Sequence, residues 1–341
     1  MRHLLLSLPL AVLLLVACTA TRTSRVSQEE YASWFKVLDS AVVSISPFGG
    51  SDTLRIDKPL SSIICMSGSY IGYLDAIGCD SVISAVSGIQ YVTCPAVRRR
   101  FDEGLLFDIG YDSAPDYERI VDLHPDLLLT YSVSSSKSPF LQRLESLGVR
   151  TMVLWEHLES DPLARAEYVK LFGALTDRRS EAEEFFATVR DNYNKLKINT
   201  EAPKKVLVNM PYAGLWYIPG ADNYLSRIIS DAGGEVLGAK KGAIESGTIS
   251  LEEAYVLSKQ ADIWLHPGSC RSREEIRSAG PALAAIDIPL IFNNIRRSTP
   301  GGGNDFWESA PVRPDLVLAD LRAIFSEAAP ADSLTYYLPV L

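Results

Sequence analysis

The chain is expected to fold as an α/β protein, two Rossmann-like lobes joined by a long connecting helix. Three observations lead there. Short apolar runs alternate with helical patterns on both sides of the centre, as in parallel-sheet units. The central stretch carries one long helical stripe. The 341 residues suffice for two cores.

The first element is an N-terminal leader. Leu4 to Ala17 is an almost unbroken apolar run behind Arg2, ending Leu15-Val16-Ala17-Cys18. It reads as a signal-peptide h-region with a small-residue cleavage site, too short for a membrane span. Residues 18–50 are assigned to a tether, in which Thr19 to Gln28 is polar and lacks an apolar period.

The N-terminal lobe is placed at 51–159. Ser62 to Met66 is an apolar strand, followed by a helix over Tyr70 to Ile77. Val82 to Val86, Asp126 to Thr130 and Val149 to Leu154 are further strands. Helices cover Tyr117 to Leu123 and Pro139 to Leu147, the latter closed by Gly148. The connecting segment is placed at 160–202. Asp161-Pro162 supplies an N-cap and N1 pair for a helix running to Gly173. Ser180-Glu181-Ala182-Glu183 reads as a capping box, opening a helix whose stripe is Phe185/Phe186, Val189, Tyr193 and Leu196. A helix from Ser180 to Lys197 would be about 27 Å long.

The C-terminal lobe is placed at 203–341. Its strands are Val206 to Val208, Ala261 to Leu265 and Leu290 to Phe292. Its helices run from Asn223 to Ala232, Leu251 to Lys259 and Asp315 to Phe325.

Composition restricts function. The formal charge is −9, moving to about −10 without the leader. Such an acidic body has no electrostatic footprint for nucleic acid. Cys65, Cys79, Cys94 and Cys270 form no CxxC pair. They leave room for one disulfide, Cys79–Cys94 being the least strained by sequence distance, while Cys65 reads as a buried thiol. The three histidines beyond the leader, His124, His157 and His266, show no metal-ligand spacing. No GxSxG, HExxH or Cys-His arrangement points to catalysis, and Gly301-Gly302-Gly303 lacks the GK[ST] of a phosphate loop.

Several phrases together carry a family resemblance. The Leu-Val-Ala-Cys sequence resembles the lipobox of bacterial lipoproteins, which implies lipidation of Cys18 and a membrane-anchored protein facing the periplasm. Ile109-Gly110 through Tyr117-Glu118-Arg119-Ile120 to Pro125-Asp126-Leu127-Leu128-Leu129 resembles a segment of the solute-binding proteins that serve cobalamin and ferric-siderophore ABC importers. Tyr168 to Leu196 is similar to that family's connecting helix. Ile218-Pro219-Gly220 to Gly233-Gly234, then Ile249-Ser250-Leu251-Glu252-Glu253, is similar to its second-lobe pattern.

The resemblance implies a monomeric, non-enzymatic binding protein with no cofactor of its own. Its cargo would be an iron chelate (siderophore or heme) or cobalamin, and its partner an ABC importer permease. It implies that Glu118 and Glu252, one per lobe, dock onto permease arginines. Two exposed anions at fixed separation would give such a partner register and orientation.

Loops at the carboxyl ends of the strands are expected to hold the ligand. The candidates there are Ser69, Tyr70, Tyr111, Tyr131, Trp155, Trp216, Tyr217 and Ser246, with Arg296 and Arg297 ahead of the glycine-rich loop. Aromatic faces suit a flat macrocycle or an aromatic chelate. Three alternatives remain open at this point. One is direct Zn²⁺ or Mn²⁺ capture by three or four converging His, Asp or Glu side chains. Another is a chelatase-like enzyme on the same architecture, and the third is a scavenging or chaperone lipoprotein with no permease partner.

Overall fold

The computed structural model describes residues 29–327 and 330–341. The leader, Cys18 and the Thr19 to Gln28 stretch lie outside them. Among the described residues no helix is long and apolar enough to cross a membrane.

Each lobe is built on a five-stranded sheet. In the N-terminal lobe the spatial order is Thr151–Leu154, Leu127–Tyr131, Ile63–Cys65, Ile83–Val86, Phe107–Asp108, all parallel. In the C-terminal lobe it is Gly234–Val236, Lys204–Val208, Ile263–Leu265, Leu290–Asn293, Leu338–Pro339. Only the last pair in that lobe is antiparallel. By chain order these are 5-4-1-2-3 and 2-1-3-4-5, both doubly wound arrangements with a topological switch beside the first strand. The central strands are buried on both faces, which is why they read as continuous apolar runs.

The helix Arg179–Leu196 joins the lobes, as expected. It packs on Val169–Thr176 at one end and on Pro314–Ser326 at the other. Ala182, Phe186, Val189 and Tyr193 form its buried stripe. Tyr193 Oη donates to Asp231 Oδ2 of the C-terminal lobe at 2.8 Å.

Three local expectations are corrected. Ser180 lies inside the connecting helix rather than capping it. Asp177 takes a left-handed conformation (φ 60°) and Arg178 is the N-cap residue, so the corner is complete before Ser180. The helix expected from Asp161 to Gly173 is interrupted at Tyr168, giving Pro162–Glu167 and Val169–Thr176; the Asp161 cap itself is present, accepting from Leu163 N at 2.8 Å. All four described cysteines are free and buried, so Cys79 and Cys94 are not bonded to each other.

The largest difference concerns the segment to residue 50 assigned to the tether. Phe35–Leu38, Ala41–Ile45 and Ser51–Arg55 form a three-stranded antiparallel sheet on the N-terminal lobe. The chain ahead of it is held by two buried carboxylates. Glu167 accepts the backbone N–H groups of Glu30, Tyr31 and Ala32 at 2.8–2.9 Å, and Lys170 Nζ stands 3.0 Å from it. Glu159 accepts those of Ser33 and Trp34 at 2.8 and 2.9 Å. Burial pushes the Glu159 carboxyl up to about 7.

The lobes also touch directly. Gly72, within the helix Gly68–Ala76, lies against the backbone of Glu308, and a Cβ there would sit 2.1 Å from the Glu308 carbonyl oxygen. A side chain at this position would force the lobes apart.

Candidate functional site

The carboxyl-terminal edges of the two sheets open on the same side of the molecule. Gly301 and Gly303, on the loop after Leu290–Asn293, pack on Gln90 and Tyr91, on the loop after Ile83–Val86. Thr299 Oγ1 donates to the Gln90 carbonyl at 3.4 Å. The glycine-rich loop is thus a contact between lobes. Its glycines allow a backbone approach that a Cβ would block, because one on Gly303 would lie 2.5 Å from Tyr91 O.

Exposed aromatic rings gather along this edge. Tyr91, Tyr111, Tyr131, Tyr212, Tyr217 and Trp307 are between 38% and 75% exposed. Tyr91, Tyr111 and Tyr131 lie at or a few residues beyond strand ends of the N-terminal lobe. In the C-terminal lobe Tyr212 follows Lys204–Val208, Tyr217 lies in the short strand Trp216–Ile218 and Trp307 in the helix Asp305–Glu308 after the glycine-rich loop. Among the described residues the only other tyrosine or tryptophan this exposed is Tyr255, on a helix flank. Tyr91 and Tyr111 stand 6.2 Å apart and tilted. Partial burial, then the nearby Asp112 charge, raises the Tyr131 phenol above its usual range.

The floor beneath Tyr131 is polar. His157 meets the Tyr131 ring edge-on at 5.9 Å, and its Nδ1 lies 3.7 Å from Glu156 Oε2. Glu156 is buried and accepts from Ser69 Oγ at 2.9 Å through Oε1. Its Oε2 and both His157 ring nitrogens have no hydrogen-bond partner. Buried polar groups are nearly always satisfied, so open valences at a strand-end crevice suit a ligand. At the matching switch point of the C-terminal lobe, Asn209 (φ 67°) and His266 (φ 61°) adopt left-handed backbone conformations one residue beyond adjacent strands. Such strain concentrates at binding sites. Burial lowers His266 to about 4, leaving it neutral, and its Nε2 lies 2.7 Å from Tyr337 Oη.

The structure divides the sequence candidates. Tyr111, Tyr131 and Tyr217 are on the edge and exposed, and Ser246 is exposed on the loop before Gly247–Ile249. Ser69 is buried but reaches the floor through Glu156. Trp155 is 7% exposed and meets Phe48 edge-on at 5.6 Å. Tyr70 is fully buried and donates to Thr130 O at 2.9 Å, which makes it core. Trp216 is core too, donating from Nε1 to Val208 O at 2.8 Å and packing on Trp264. Arg296 reaches Asp332 O at 3.1 Å. Arg297 is paired with Asp305 at 3.0 Å beneath the glycine loop.

Sequence reading missed Tyr91 and Tyr212. A signal existed for both, since each follows a strand end within a few residues.

Glu118 and Glu252 occupy matching places. Each is exposed in the first turn of a short helix, Tyr117–Asp122 and Leu251–Ser258, that leads into a parallel strand. A helix running back along a sheet begins at the carboxyl-terminal edge, so both carboxylates lie on the aromatic side. Asp116 and Ser250 cap these helices, accepting from Arg119 N and Glu253 N. The glutamates are therefore not needed as caps.

Among the described residues no three His, Cys, Asp or Glu gather to hold a metal ion.

Two doubly wound lobes, a rigid connecting helix and a crevice at the strand ends define a two-lobed binding protein. Residues 63–284 match the family described as periplasmic binding protein, and the chain belongs to that family. An uncharacterized lipoprotein of Methanocaldococcus jannaschii is 27% identical over 292 residues, covering 82% of this chain and 68% of that protein. The solved structure of a periplasmic heme-binding protein from Pseudomonas aeruginosa is similar with a TM-score of 0.61 at 19% identity, covering 83% of this chain and 98% of that one. An Fe3+-hydroxamate transport system structure from Saccharomonospora viridis has a TM-score of 0.55 at 18% identity, covering 82% and 97%. These two likenesses establish the shared fold.

Proposed function

We propose that this protein is the solute-binding lipoprotein of an ABC importer, capturing an iron chelate (siderophore or heme) or cobalamin and delivering it to the permease. The observation that carries this reading is the row of exposed aromatic rings contributed by both lobes. Large rings left in water are costly unless they bury something, and a flat or aromatic chelate buries the most area per ordered side chain. The buried Glu156–His157 pair gives the floor beneath Tyr131 a polar character. The Gly72 contact, the glycine loop and the connecting helix hold the lobes together, so the crevice is largely preformed.

In this reading Cys18 carries the lipid and keeps the protein at the membrane on its periplasmic face. Glu118 and Glu252 orient docking on permease cations. The lipoprotein relative and the heme and Fe3+-hydroxamate neighbours support it.

The experiment is a titration of the chain from Thr19 onward with hemin, ferric hydroxamates and cyanocobalamin, followed by tryptophan quenching and visible absorbance. Saturable one-to-one binding of one of these below micromolar concentration is expected. Failure of all three classes would refute the assignment.

A further inference from the structure

A cavity of about 480 Å³ opens on the N-terminal lobe beside the aromatic edge. One wall is the turn between Ala41–Ile45 and Ser51–Arg55; the other is the loop from Ser132 to Lys137. Val153 and Trp155 lie at its base, and seven serines line it. Tyr131 and Leu154 are register partners at the ends of neighbouring strands. The cavity wall at Ser132 and its base at Trp155 therefore begin one residue beyond those ends, directly beside Tyr131 and His157.

The lining chemistry is selective. Serine hydroxyls donate and accept, so they match hydroxyl and amide groups in either orientation. Trp155, backed by Phe48, adds an apolar base for one face of such a group. Lys137 lines the cavity but is paired with Glu145, and Asp52 adds a negative charge. This lining favours neutral polar groups over carboxylates. The loop is shaped in advance by its own serines: Ser132 Oγ donates to Ser134 O at 3.1 Å, and the Ser134 and Ser136 hydroxyls stand 3.2 Å apart. The hairpin wall precedes residue 63, where the family match begins.

We infer that this cavity is a second compartment of the ligand site, seating a neutral hydroxyl- or amide-bearing arm of a chelate whose coordinating part rests against the tyrosines. The inference rests on the chelate-binding reading above and narrows its cargo to chelates carrying such an arm.

The test uses matched probes that share a coordinating core and differ in the arm. Cyanocobalamin is compared with dicyanocobinamide, ferrichrome with ferric acetohydroxamate, and hemin represents a ring without such an arm. Each is titrated into wild type, into Ser51→Trp, which fills the cavity from an exposed strand position, and into Ser135→Ala/Ser136→Ala, which removes hydroxyls without bulk. Circular dichroism and thermal melts verify folding of both variants.

The expected result is tighter wild-type binding of the arm-bearing member of one pair. Both variants should weaken that member by about tenfold or more and leave the armless member unchanged, the size expected from losing a few hydrogen bonds. Equal effects on both members, no effect on either, or hemin as the preferred ligand with unchanged affinity in the variants would overturn the cavity's role while leaving chelate binding intact. If no probe binds wild type, both readings fall.

Discussion

Glu308 offers a test of how the lobes are held together. Its Oε2 accepts Thr93 N of the other lobe at 2.8 Å, and the side chain is almost fully buried. Burial raises its carboxyl from 4.5 to about 7, outweighing the hydrogen bonds from Thr93. The folded state therefore binds the proton more tightly than the unfolded chain. This group's contribution is fully present below about pH 4.5 and is lost as pH rises through about 7. Holding the carboxylate charged at pH 8 costs the fold roughly 3 kcal/mol relative to the unfolded state. Glu308→Gln keeps an acceptor for Thr93 and removes that cost. The amide's weaker acceptor and its new N–H group offset about 1–2 kcal/mol at either pH, leaving about 1–2 kcal/mol of added stability at pH 8; at pH 5 the ionisation cost removed is only about 1 kcal/mol, so the variant is slightly less stable there. Thermal unfolding at both pH values should show Glu308→Gln melting about 2–4 °C above wild type at pH 8 and level with or slightly below it at pH 5. Glu159, also raised to about 7, keeps some pH dependence in the variant. A variant less stable than wild type at pH 8, or shifted equally at both pH values, would refute the reasoning.

Gly72→Ala should destabilise by about 1–3 kcal/mol, because the added methyl meets the Glu308 carbonyl at 2.1 Å and backbone cannot yield cheaply; chemical denaturation would measure it, and an unchanged midpoint would contradict the lobe contact. Glu167→Ala should cost on the order of 3 kcal/mol, since it leaves three N–H groups without their acceptor and Lys170 with Glu183 alone as its partner. Limited proteolysis should then cut near residues 29–34 before the lobes open. Reversing charge with Glu118→Lys/Glu252→Lys should abolish association with permease vesicles while chelate affinity in solution stays within about twofold of wild type. Loss of chelate affinity in that variant would place these residues in the ligand site instead.

Much of the architecture was legible because parallel strands buried on both faces leave an unmistakable record. Ile63–Cys65 and Leu127–Tyr131 differ from prediction by only a residue or so at each end. The N-terminal hairpin was not read, although Ser46-Pro47-Phe48-Gly49-Gly50 is a turn signal after the apolar Ala41–Ile45. The segment before it is fixed by Glu159 and Glu167, more than a hundred residues away, and no local pattern carries that. Position relative to a strand end located Tyr111 and Tyr131 but could not give side-chain direction. Tyr70, two residues into its helix, turns inward to Thr130, whereas Tyr131 turns out. Trp216 and Tyr217 are neighbours on one strand, and alternation puts the first in the core and the second in solvent.

The central claim is that a chelate lies between the lobes against rings from both. Isothermal titration of the chelate that binds wild type, into wild type, Tyr131→Ala and Trp307→Ala, tests this most directly, since those rings come from opposite lobes and both are exposed. One site per chain, with each substitution weakening binding by about tenfold, is the predicted result. Affinity unchanged by both substitutions, or more than one equivalent site, would contradict it.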